Sequence, residues 1–84
     1  MNYYYLTFRS VTHAQRGEKV LQRENLRCSL QRTPRWMEEK GCGYSLHLPG
    51  GDVIAAEEIL RQNAVPVRKV YARKADGTME ELAL

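Results

Sequence analysis

No apolar run in these 84 residues approaches the roughly 18 that a membrane span requires. The opening Met1-Asn2-Tyr3-Tyr4-Tyr5-Leu6-Thr7-Phe8-Arg9 has no basic stretch followed by an apolar one, so it does not read as a secretory signal. The expected location is the cytoplasm, with no membrane partner. Cysteine is scarce, with only Cys28 and Cys42, and in a reducing compartment both are expected as free thiols. The chain contains no C-x-x-C and no H-x-x-x-H pair. His13, His47, Cys28 and Cys42 match no zinc-ligand spacing, so neither a metal nor a bound cofactor is expected. A glycine-rich phosphate loop is also missing; Pro49-Gly50-Gly51-Asp52 reads as a turn and a helix cap. Charge of one sign is not concentrated: 13 basic and 10 acidic residues leave a net +3, short of the cationic stripe of a dedicated DNA binder.

What the chain does contain is a patterned apolar set. Hydrophobic residues make up 43%, too many for a disordered chain, and the length supports one domain with a modest core. Residues 3–8 alternate, with Tyr4, Leu6 and Phe8 on one face and Tyr3, Tyr5 and Thr7 on the other, as in a strand. Ser10 or Thr12 can cap a following helix to about Glu24, with Gln15 placed three residues after Thr12 as in a capping box. The buried face of that helix reads Ala14, Gly17, Val20, Leu21. A second strand is expected over 26–32, where Leu26, Cys28 and Leu30 alternate with Arg27, Ser29 and Gln31. Thr33-Pro34-Arg35 ends it, because proline lacks a donor. A loop over 36–41 leads to a third strand, 43–48, with Tyr44, Leu46 and Leu48 inward and Ser45 and His47 outward. Asp52 is expected to cap a second helix to about Asn63, and a fourth strand to span about 65–71. Residues 73–84 are expected as a loose tail after a single domain over 1–72.

The two halves repeat. A shift of 39 positions places Ala14 on Val53, Gly17 on Ala56, Val20 on Ile59, Leu21 on Leu60, Leu26 on Val65 and Cys28 on Val67. Two β-α-β units of this kind predict an α+β fold, the ferredoxin-like split β-α-β (β-α-β-β-α-β). Its sheet would be four-stranded and antiparallel, with both helices on one face. The open sheet face would carry Tyr3, Tyr5, Arg27, Ser29, Ser45, His47 and Arg68.

One residue stands out chemically. Cys42 lies in Lys40-Gly41-Cys42-Gly43, where two glycines leave the thiol open on both flanks. A thiol reacts as thiolate, which positive charge favours. Arg35 and Lys40 can supply that charge, whereas Glu38 and Glu39 oppose it. The same four residues also read as a tight turn entering a strand. Cys28, between Leu26 and Leu30 on the dry face, reads as a core residue. Lys40-Gly41-Cys42-Gly43-Tyr44-Ser45-Leu46-His47 partly matches the third-strand signature of RNA-recognition motifs. The match fails in phase, since the positions that should be inward and apolar are Gly43, Ser45 and His47. Nucleic acid is therefore not the expected partner.

Beyond these patterns, the chain resembles a small bacterial family of Se/S carrier-like proteins over about residues 3–72. The resemblance rests on the tyrosine-rich first strand with Thr7-Phe8-Arg9-Ser10, on Ala14, Glu18-Lys19 and Leu21, and most specifically on Thr33-Pro34-Arg35 followed by Cys42-Gly43. It implies that Cys42 carries sulfur or selenium as a persulfide or selenosulfide, with Gly41, Gly43, Arg35 and Lys40 supporting it. The implied partners are a sulfur or selenium donor such as a cysteine desulfurase, and an acceptor protein. Such a protein is a carrier more than an enzyme. The alternative from the residues alone is a small non-catalytic module that dimerises, or binds RNA or an anionic ligand, on its open sheet face.

Overall fold

The computed structural model describes residues 3–33 and 43–82. Among these, seven elements follow in order: β1 (Tyr3–Thr7), α1 (Val11–Arg23), β2 (Ser29–Arg32), β3 (Tyr44–Pro49), α2 (Val53–Gln62), β4 (Lys69–Arg73) and β5 (Met79–Leu82). The fold is α+β, with one antiparallel sheet in the order β2-β3-β1-β4-β5. The expected four strands are therefore five. The fifth lies in the segment expected to be a loose tail, where Met79 and Leu82 face Arg73 and Val70 of β4. No helix among the described residues is long and apolar enough to cross a membrane.

α1 begins at Ser10, whose side chain accepts from the His13 N–H at 3.3 Å, while its hydroxyl also meets His13 Nδ1 at 2.7 Å. His13 thus occupies the place that Gln15 has in a capping box built on Thr12. The helix buries Ala14, Gly17, Val20 and Leu21, the face its apolar spacing predicts. Gly17 is a point of close approach. A Cβ there would lie 3.2 Å from Leu46 and 3.3 Å from both Leu60 and Phe8. α2 buries Ala56 and Leu60. Asp52 holds its N-cap position but makes no side-chain cap bond, contrary to the expected role.

Both helices pack into one core with the sheet: Leu6, Phe8, Leu21, Leu46, Leu48, Leu60, Val65 and Val70 are fully buried. Burying each such side chain contributes about 1.5–3 kcal/mol. Each helix ends in a Schellman turn. Leu26 N–H donates to the Leu21 carbonyl at 3.0 Å, and Val65 N–H donates to the Leu60 carbonyl at 2.9 Å.

Two strands, β2 and β4, begin well after the expected residue. β2 begins at Ser29, because the Schellman turn of α1 occupies Asn25 and Leu26. β4 begins at Lys69 because Val65 is used to close α2, so its inward residues are Val70 and Ala72. Lys69, Tyr71 and Arg73 face the open side, each paired with an outward residue of β1. Arg68, expected on that face, lies ahead of the strand; its N–H donates to the Thr7 carbonyl at 2.8 Å. β4 and β5 are joined at Lys74 to Thr78. Gly77 there has φ +89°, and the Asp76 carboxylate accepts from both the backbone N–H and the hydroxyl of Thr78.

Candidate functional site

Four of the residues assigned to a carrier site, Arg35, Lys40, Gly41 and Cys42, lie outside the described residues, as does Trp36. Gly43 is described. Its carbonyl accepts from the Thr33 N–H at 2.8 Å, which extends the β2–β3 pairing by one step. Residues 33 and 43 are thus held side by side at one end of the β2–β3 pair. Arg32 and Tyr44 are paired just below that bond, with the guanidinium 6.0 Å from the ring centroid. Thr33 is buried, and its hydroxyl oxygen has no hydrogen-bond partner among the described residues.

The second cysteine is chemically quiet. Cys28 is half-buried just ahead of β2 and packs against the core, while its thiol points toward the Glu18 carbonyl at 3.9 Å. Burial, followed by the nearby Glu18 carboxylate, pushes its pKa from 9.0 up to about 11. At neutral pH it is a protonated, poorly nucleophilic thiol. The same Glu18 carboxylate accepts from the Leu30 N–H at 3.2 Å, tying α1 to the edge strand β2. Cys28 is therefore a packing residue, as its position between Leu26 and Leu30 suggests.

The open sheet face has a structure of its own. Tyr5 and Tyr71 are buried there, with Met79 packed against them. The His47 ring lies 4.0 Å from the Tyr5 ring, tilted by 57°, and its Nε2 is 3.2 Å from the buried Ser45 hydroxyl. Burial lowers the His47 pKa to about 4, so the imidazole is neutral at physiological pH. Beside this floor is a 490 Å³ cleft whose walls include Tyr3, Arg27, Ser29 and Arg73. Tyr3, Tyr5, Arg27, Ser29 and His47 could be placed on this face from strand alternation. Arg73 could not, because the fourth strand is expected to end at about Tyr71, which leaves Arg73 in the tail. Counting back across the sheet from Tyr3, its register partner, would have found it. Among the described residues, no three of His, Cys, Asp and Glu come together as a metal ion would need.

The family model described as "Putative Se/S carrier protein-like" matches residues 3–72, most of the chain. The chain belongs to this family. No curated protein and no solved structure matches it significantly. The span shared with the Se/S carrier family takes in both β-α-β halves and the paired Thr33 and Gly43. It ends within β4, so β5 lies beyond it.

Proposed function

We propose that this protein is a sulfur or selenium carrier in which Cys42 is the carrying residue. Membership of the Se/S carrier family over a span that includes Cys42 carries this reading. The chemistry of the other cysteine supports it: a thiol at about 11 cannot compete as a nucleophile, which leaves Cys42. In the proposed step the Cys42 thiolate attacks the outer sulfur of a donor persulfide. A new S–S bond forms at Cys42, the donor's S–S bond breaks, and the donor leaves as a thiolate. No net oxidation occurs. An acceptor thiolate then takes the outer atom by the same exchange, and selenium follows the same course as a selenosulfide. Gly41 and Gly43 give access to the thiol, and Arg35 and Lys40 favour its ionised form.

The frame we propose for this chemistry is the ferredoxin-like split β-α-β, to which β5 is an added edge. The order β2-β3-β1-β4, antiparallel throughout, with both helices in one core, supports it. The donor would be a protein persulfide such as that of a cysteine desulfurase, in the cytoplasm.

Intact-mass measurement after incubation with a cysteine desulfurase and cysteine tests the reading. One sulfur should add to the wild type and to Cys28→Ser, not to Cys42→Ser, and reductant should remove it. Sulfur gained by Cys42→Ser, or a Cys42 that resists both sulfuration and alkylation in the folded protein, would overturn it.

A further inference from the structure

The cleft on the open sheet face is built from chemistry that the carrier reading does not use. Its floor is the Tyr5–His47 ring pair, and Tyr3, 47% exposed, stands over one side. Tyr3 faces Arg73 on β4 and Pro49 on β3, so Arg73 flanks the cleft on the β4 side. Arg27, two residues ahead of Ser29, flanks it on the β2 side. The two arginines are set about three strand spacings apart, roughly 14 Å between backbones, and both side chains are long enough to reach over the cleft between them.

The polar groups here are biased one way. Among the described residues, no carboxylate lines the cleft. Neither Arg27 nor Arg73 has an ion-pair partner among the described residues, whereas Lys69 at the start of β4 and Lys74 just after it are paired with Glu81 and Glu80. The Ser29 hydroxyl accepts from the Gln31 amide at 2.8 Å, which leaves its own proton to donate. Two unpaired guanidiniums, a hydroxyl donor and no acid make a cationic recess, and an exposed phenol beside it offers a face for a flat ring. At 490 Å³ the cleft falls in the range of small-molecule sites.

We propose that this cleft binds a small planar anion of nucleoside monophosphate size. Its ring lies on Tyr3, and its phosphate or carboxylate is held by Arg27 and Arg73. Single-stranded RNA fits less well. Of the described tyrosines on this face Tyr3 is the exposed one, while Tyr5 and Tyr71 are 8% and 6% exposed, so successive bases find no second tyrosine platform among the described residues. The cleft lies toward the Tyr3–Pro49 end of the sheet, whereas Thr33 and Gly43 close the opposite end.

Titration of the ¹⁵N-labelled full chain with AMP, adenosine or inorganic phosphate at low ionic strength, read by amide chemical shifts, tests it. AMP should give saturable shifts confined to the neighbourhood of Tyr3, Ser29, His47 and Arg73, with adenosine and phosphate each at least tenfold weaker. Phosphate alone matching AMP would reject the ring contact and overturn the proposal. Arg27→Gln and Arg73→Gln should each weaken AMP about tenfold. Both arginines are exposed, so the variants keep the fold, and unchanged shifts elsewhere verify this. Absence of saturable AMP shifts, or AMP binding unchanged in the double variant, would overturn it. An RNA octanucleotide that binds far more tightly, with shifts spreading over β4 and β5, would replace it with an RNA surface. Concentration-dependent shifts at the same amides without ligand would assign the cleft to a second copy of the chain.

Discussion

Asn25 and Ala64, 39 positions apart, hold the same left-handed backbone, with φ of +61° and +59°. Each closes a helix in the same Schellman turn, followed by an apolar residue, Leu26 or Val65, that folds back onto the core. The internal repeat is therefore a repeat of backbone conformation as well as of apolar positions. Asparagine tolerates this region; alanine is strained by its Cβ, at a cost of about 1 kcal/mol or more. Ala64→Gly should stabilise the protein by about 0.5–1 kcal/mol, the relief of strain outweighing the added freedom of the unfolded chain. Asn25→Ala should destabilise it by a similar amount. Urea denaturation of the two variants measures both, and an Ala64→Gly midpoint at or below wild type would contradict the strain.

Gly17 faces the opposite pressure. Alanine would gain up to about 1 kcal/mol of helix propensity. Its Cβ, however, would meet three fully buried side chains, Leu46, Leu60 and Phe8, at 3.2–3.3 Å. All three must shift by a few tenths of an ångström within a core where they are already fully buried, so crowding should win. Gly17→Ala is expected to destabilise by about 1 kcal/mol and Gly17→Val by about 3 kcal/mol. Thermal unfolding should rank the three proteins in that order.

Protonation of His47 opposes folding. The imidazole titrates at 6.5 in an unfolded chain and at about 4 in the folded one, because burial disfavours its charged form. The stability it contributes is complete above pH 6.5 and is lost as pH falls toward 4. Phenylalanine can keep the ring contact with Tyr5 without a titrating group. Denaturation of wild type and His47→Phe at pH 7, 5 and 4 should show the acid loss shrink in the variant.

Cys28 acts at the other end of the pH scale. Its folded pKa of about 11 lies above the ordinary 9.0, so its contribution is complete below pH 9 and is lost as pH rises through 11. At pH 8, Cys28 in Cys42→Ser should react with iodoacetamide at least tenfold more slowly than a free thiol. Glu18→Gln removes the smaller of the two causes and should speed that reaction only in part. Fast labelling of Cys28 would show that its surroundings are open.

Leu6, Phe8, Leu46 and Leu48 and the helix face Ala14-Gly17-Val20-Leu21 were readable because apolar spacing marks the residues that enter the main core, whereas the burial of Tyr5, Thr7 and Ser45 on the opposite sheet face does not follow from alternation. β4 was misread because Val65 and Val67 have the spacing of a strand while Val65 belongs to the closing turn of α2. β5 was not readable, because Met79-Glu80-Glu81-Leu82 contains no β-branched or aromatic residue. Its strand character comes from β4, which offers it a paired edge, and from a turn at Asp76-Gly77. At the candidate sites, the Cys42 motif was legible as a spacing of residue types. The cleft was half legible: its β1 and β3 residues follow from alternation, but Arg73 depends on a register that only the sheet reveals.

That borrowed strand has a measurable role. Leu82 faces Val70 and packs, half-buried, against the main core. Leu82→Ala should cost about 1–2 kcal/mol, below the range of a fully buried leucine. Deleting 79–84 should cost more, since it also uncovers Tyr71, which faces Glu81. A truncated chain with wild-type urea stability would mean that β5 contributes nothing to the fold.

The strand order β2-β3-β1-β4 shuffles the two halves like interlaced fingers. β1 lies between the two strands of the second half, and β3 lies between the two strands of the first. Neither β-α-β unit owns a single strand pairing of its own. A duplicated message is thus spent on one indivisible object: cut in the connection between Thr33 and Gly43, each fragment would hold a helix and the two strands of its half unpaired with each other, and only β4 and β5 would keep a pairing within one fragment. Folding must assemble contacts distant in sequence before either half gains anything. Such a chain should open and close as a whole.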